Sequence, residues 1–131
     1  MIGLDTNIVV RFLTQDDPEQ SARANRIIEH KLTTDTPGFI STVTVVETAW
    51  VLEHAYGFSG KEIAGSIERI LQTDVLQAEG EQEVAIAMAA LQTGRGSFAD
   101  ALIAALGAKA GCLYTLTFDR KALRLEGFRL A

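Results

Sequence analysis

A chain of 131 residues, 47% hydrophobic and 22% charged, is the size of one ordinary domain with a core to bury, which excludes a disordered segment. Its net charge of −5 counts against a bare nucleic-acid binder presenting a basic face. The longest uncharged apolar run, "VAIAMAAL" (84–91), is too short to span a bilayer, "MIGLDTN" lacks the basic-then-apolar order of a secretory signal, and the single cysteine, Cys112, rules out an internal disulfide.

These features lead us to expect a single cytoplasmic domain over residues 1–131. Short apolar runs and helical periodicities alternate along it. "MIGL" (1–4) reads as a buried strand that ends at Asp5, and a helix over 6–14 follows it, carrying Arg11. Asp17-Pro18 reads as an N-cap with proline in the first helical position, and Gln20 completes a capping-box pattern for a helix over 18–31. "GFIS" (38–41) is the next strand. In the helix over 43–56, Glu47 shares helical spacing with Val43, Trp50 and Val51, and so points from a largely apolar face. His54, seven residues later, borders that face, with a structural role expected for it. Trp50 and Phe98 are candidates for base stacking, although core packing is the expected role of both.

A helix over 60–72, the strand "DVLQA" (74–78) and a helix over 81–93 come next. "GRGS" (94–97) is too short for a phosphate loop and reads as a flexible connector that offers Arg95. The helix over 97–110 places Asp100 beside Ile103 and Ala104. The strand "CLYTL" (112–116) leads into Asp119, and "DRKALR" then supplies Arg120, Lys121 and Arg124. "GFRL" (127–130) closes the chain. Strands alternating with helices point to an α/β fold with a mostly parallel sheet covered on both faces, where functional groups gather at strand carboxyl ends.

Asp5, Glu47, Asp100 and Asp119 are the candidates for chemistry. Each has a plainer role open to it: Asp5 and Asp119 as N-caps, and Thr44-x-x-Glu47 and Ser97-x-x-Asp100 as capping boxes. Caps need not face a core, however, and four carboxylates sharing one pocket would repel one another. Hard cations such as Mg²⁺ or Mn²⁺ relieve that repulsion and accept a phosphate. Two such ions would bring the net charge of −5 to about −1. Histidine-pair catalysis is not expected, because His30 and His54 lie in different helices, and no G-x-S-x-G, H-E-x-x-H or Walker A pattern occurs.

Taken together, "GLDTNIVV", "VVETAWVL", "FADALIAALG" and "TLTFD" resemble the PIN domain, in that family's order and spacing over essentially the whole chain. The length is similar to that of the VapC toxins of toxin–antitoxin pairs. The resemblance implies a three-layer α/β/α sandwich on a central mostly parallel sheet. It also implies a ribonuclease dependent on one or two Mg²⁺ or Mn²⁺ ions, with Asp5, Glu47, Asp100 and Asp119 as the acidic site residues. Asn7 and Thr117 would support them by hydrogen bonding, and the fourth acid of the family often acts through water. Some members carry a further acid just before the third one, where this sequence has Ser97.

RNA hydrolysis to 5′-phosphate and 3′-hydroxyl ends, with Arg95 on a backbone phosphate, is the expected activity. A homodimer and a cognate antitoxin are the implied partners, with "NIVVRFL" (7–13) and "WVLEHAYGF" (50–58) as possible grooves. The competing readings are a non-catalytic metal- or RNA-binding module of the same fold and an aspartyl phosphatase using Asp5. The phosphatase pattern wants a second acid two residues on, where Asn7 stands.

Overall fold

Leu4, Ile40, Leu76 and Ala78 pack inward from short extended segments, and the helices between them turn their own apolar stripes onto those segments. The computed structural model describes residues 1–131. Its strands are β1 (Ile2–Gly3), β2 (Gly38–Ile40), β3 (Leu76–Ala78), β4 (Thr115–Thr117) and β5 (Phe128–Leu130). Its helices are α1 (Thr6–Thr14), α2 (Pro18–Arg26), α3 (Thr42–His54), α4 (Gly60–Gln72), α5 (Glu81–Gln92) and α6 (Phe98–Lys109). The architecture is a three-layer α/β/α fold.

Every strand pairing is parallel, as helical crossovers require. β2 lies between β1 and β3, with Ile2 opposite Gly38 and Gly38 opposite Leu76. β4 pairs with β5, with Thr115 opposite Phe128. The two ladders, β1-β2-β3 and β4-β5, share no hydrogen-bonded edge. Gly38 is needed where the strands meet the core, since a Cβ there would lie 2.7 Å from Leu32 Cδ1. Ile40, Leu52, Ile67, Ile70 and Leu102 are fully buried and draw on β2, α3, α4 and α6. Each such side chain contributes on the order of 1.5–3 kcal/mol.

Local signals in the sequence place most helix starts. Asp17 accepts a hydrogen bond from the Gln20 amide at 2.9 Å with Pro18 behind it. Gln20 does not return the bond. Its side chain accepts from Arg11 Nε at 2.8 Å instead, because α1 and α2 pack side by side. The helix expected over 18–31 ends early as a regular α-helix: its last stretch, Ile27–Lys31, widens into a π-type turn that buries both Ile28 and Leu32. α4 starts with a complete capping box between Ser59 and Glu62.

Candidate active site

The first carboxylate pair forms around Thr6. β1 runs out at buried Leu4, and Asp5 turns the chain into α1 as its N-cap, accepting from the Thr6 amide at 2.8 Å. The Thr6 side chain is buried, and its hydroxyl donates to the Glu47 carboxylate on α3. One threonine thus holds Asp5 through its amide and Glu47 through its hydroxyl. Glu47 is not part of a capping box. Ser41 caps α3, accepting from the Thr44 amide at 3.2 Å, so Glu47 lies beyond the first turn and its side chain is exposed. Glu79, immediately after β3, reinforces that helix start by accepting from the Thr42 amide at 2.8 Å. This bond from the backbone holds the Glu79 carboxyl below its usual range.

The second pair forms around the connector 94–97. Ser97 caps α6, accepting from the Asp100 amide at 3.1 Å, and half-buried Asp100 returns no bond. Asp119 caps a short 3₁₀ turn, Arg120–Arg124, and accepts from the Lys121 amide at 2.9 Å. Thr117 holds that corner, its hydroxyl accepting from the Asp119 amide at 3.0 Å. Asp100 and Asp119 line one cavity of about 440 Å³ together with Arg95, Lys121 and Arg124, and no apolar side chain joins them. Arg95 spends one N–H on the Thr93 hydroxyl at 2.9 Å, and its guanidinium has further donors to offer.

The four acids therefore stand as two pairs, Asp5 with Glu47 and Asp100 with Asp119. No three histidine, cysteine or acidic side chains come close enough to share one ion, so the expected convergence on a single pocket is not what the structure displays. Asp5 follows a strand of one ladder and Asp119 a strand of the other. Asn7 lines a shallow pocket with Arg11, Gln20 and Arg23. Arg11 is engaged by Asp16 at 3.0 Å and by the Tyr56 hydroxyl at 2.8 Å. Phe98 is core, as expected. Trp50 is not, being 59% exposed and stacked on His54 with ring centroids 4.4 Å apart. Val43 is 75% exposed, so the apolar face around Glu47 looks outward.

The PIN domain family model matches residues 2–127. The chain belongs to the PIN domain family. No curated protein sequence matches closely enough to count as a relative. PIN domains are generally metal-dependent nucleases. No helix of this PIN domain is long and apolar enough to cross a membrane. Two groups of the site escaped the sequence reading. Thr6 had no signal beyond its place after Asp5. Glu79 did have one: like Asp5 it is an acid just past a strand end.

Proposed function

We propose that this PIN domain is a metal-dependent endoribonuclease that hydrolyses RNA phosphodiester bonds to 5′-phosphate and 3′-hydroxyl products, and that it acts as a VapC-type toxin held by a cognate antitoxin. One observation carries the reading: the charge-lined cavity where Arg95, Lys121 and Arg124 face Asp100 and Asp119. Three cations against two carboxylates make a locally positive site on a chain of net charge −5. Such a site attracts a phosphodiester that the rest of the surface repels.

All four acidic donors are carboxylates, the ligand chemistry of Mg²⁺ and Mn²⁺. Asp100 and Asp119 are the donors nearest the phosphate-binding cations, with Asp5 and Glu47 as the second pair. When bound, such an ion supplies a water of lowered pKa and polarises the phosphoryl group. The protein's own part is to hold the phosphate through Arg95, Lys121 and Arg124, and to fix the carboxylates through Thr6, Ser97 and Thr117. A homodimer and an antitoxin interface fit the exposed apolar side chains Leu113, Leu116 and Phe118.

The test is cleavage of total and transfer RNA by purified protein with Mg²⁺ or Mn²⁺ against EDTA, with Asp100→Asn run in parallel. Metal-dependent cuts that leave 5′-phosphates, absent in the variant, support the nuclease. RNA binding without cuts under every metal condition overturns it in favour of a non-catalytic RNA-binding module.

A further inference from the structure

The connector 94–97 has two faces. On one lies the charged cavity already described. On the other, a groove of about 570 Å³ runs between α3, α4 and the start of α6, and Gly94, Gly96 and Ser97 line both. The two spaces differ in chemistry. The charged cavity sets three cations against two carboxylates, whereas the groove has no lysine or arginine and carries one carboxylate, Glu53, on its wall. Phosphate is favoured in the first and repelled from the second. A flat neutral ring with N–H donors on its edge suits the second.

The groove also offers a surface for such a ring. Trp50 lines it while remaining 59% exposed, and the His54 ring is stacked against it at 4.4 Å with planes 19° apart. His54 Nδ1 lies 3.0 Å from the Trp50 carbonyl oxygen, which can only accept. The proton of a neutral His54 is therefore on Nδ1, and Nε2 remains an acceptor. Buried Phe98 and Ile63 form an apolar floor.

We infer that this groove receives an unpaired nucleobase from the same RNA strand whose phosphate occupies the Asp100–Asp119 cavity. Trp50 is its stacking platform and a specificity-determining residue, and Glu53 accepts from the base edge. The inference rests on the RNA-binding reading above. Stacking on aromatic side chains is how unpaired bases are held.

Trp50 is the only tryptophan of the chain, so its fluorescence reports on the groove directly. The Asp100→Asn chain is titrated in Mg²⁺, and the wild-type chain in EDTA, with a short single-stranded oligoribonucleotide. The controls are a matched abasic strand and the same sequence as a duplex. Binding is followed separately by anisotropy of end-labelled strands. The expected result is quenching of Trp50 by the intact single strand alone. Trp50→Ala should weaken binding of that strand about tenfold while leaving the abasic strand unaffected, and Trp50→Phe should restore most of the loss.

Equal binding of intact and abasic strands without quenching overturns the platform and leaves the phosphate cavity standing. Fluorescence that changes with protein concentration in the absence of RNA also overturns it, because a second copy then covers Trp50. If no strand binds, the platform falls together with the RNA reading. Quenching without cleavage by the wild-type chain keeps the platform and removes only the nuclease.

Discussion

The Thr6 hydroxyl donates to the Glu47 carboxylate, joining the first turn of α1 to α3 across 41 residues of sequence. Thr6 is buried while Glu47 is exposed, so the bond ties an exposed carboxylate to a fixed point in the fold. Thr6→Val keeps the side-chain shape and deletes the donor. It is expected to lower stability by about 1–2 kcal/mol, toward the low end for a hydrogen bond to a charged group because Glu47 is exposed. RNA cleavage should fall further than that stability loss explains, because Glu47 is no longer aimed. Thr6→Ser should restore both. Urea unfolding alongside cleavage rates checks this, and unchanged cleavage by Thr6→Val would remove Glu47 from the site.

Arg95 stands on the connector between two glycines, and only one of its N–H groups is bonded, to Thr93. If it contacts one phosphate, Arg95→Ala weakens binding of all single strands alike. It also reduces the slope of log K against log salt by about 0.7, the share of one phosphate contact on a single strand. Lys121→Ala should do the same by its own share. Binding measured across a salt series decides, and an unaltered slope would return Arg95 to the solvated surface.

Strand and helix periods made nearly all of the fold legible. The helices over 6–14 and 60–72 fall on the expected residues, and the other four differ only toward their ends. What could not be read depends on how separate elements meet. Buried and exposed apolar stripes look alike in a sequence, so Val43, Glu47 and Trp50 gave the period of an inward face and turned out to face solvent. That Asp100 and Asp119 line one cavity depends on how α6 and the corner after β4 meet, and periodicity carries no such information. Thr6 was hidden for the same reason, since its partner lies on another helix.

Acid should act on the fold through Asp16. The Thr14 and Tyr56 hydroxyls donate to its carboxylate and Arg11 lies beside it, which together lower its pKa from 3.8 to about 2. A depressed folded pKa means that the charged form stabilises the fold. The contribution is complete above pH 3.8 and is lost as pH falls from there toward 2. Asp16→Asn should therefore be less stable than wild type at neutral pH, and the gap should close across that acid window. Thermal unfolding of both proteins at a series of pH values tests it. A gap that persists below pH 2 would assign the loss to packing rather than charge.

Glu83 is only 5% exposed, and its Oε1 has no aligned hydrogen-bond donor. The Lys109 ammonium, 2.8 Å away at the end of α6, is the one compensation for that oxygen. Lys109→Met should cost about 1–3 kcal/mol, the penalty for a buried polar group left without its partner. Lys109 itself is largely exposed, which keeps the figure below that of a fully buried pair. Adding Glu83→Gln to Lys109→Met should recover part of the loss, since a neutral amide is cheaper to bury. A double-mutant cycle by chemical denaturation measures the coupling. Strict additivity would mean that α5 and α6 are held by packing alone.

Gly96 fixes where Arg95 and the shared wall of the two cavities stand. A Cβ on it would come within 2.7 Å of Leu125 Cδ1 and 3.0 Å of Leu125 Cγ, and Leu125 is buried. Gly96→Ala must therefore push either the connector outward or Leu125 out of its place, an overpacking that typically costs about 1–3 kcal/mol. The outward movement shifts Arg95 relative to Asp100, so RNA affinity should drop along with stability. Pairing the substitution with Leu125→Val makes room for the new methyl group and is expected to return RNA affinity toward wild type. If Gly96→Ala binds RNA normally on its own, the connector is free to move, and it does not set the position of the phosphate.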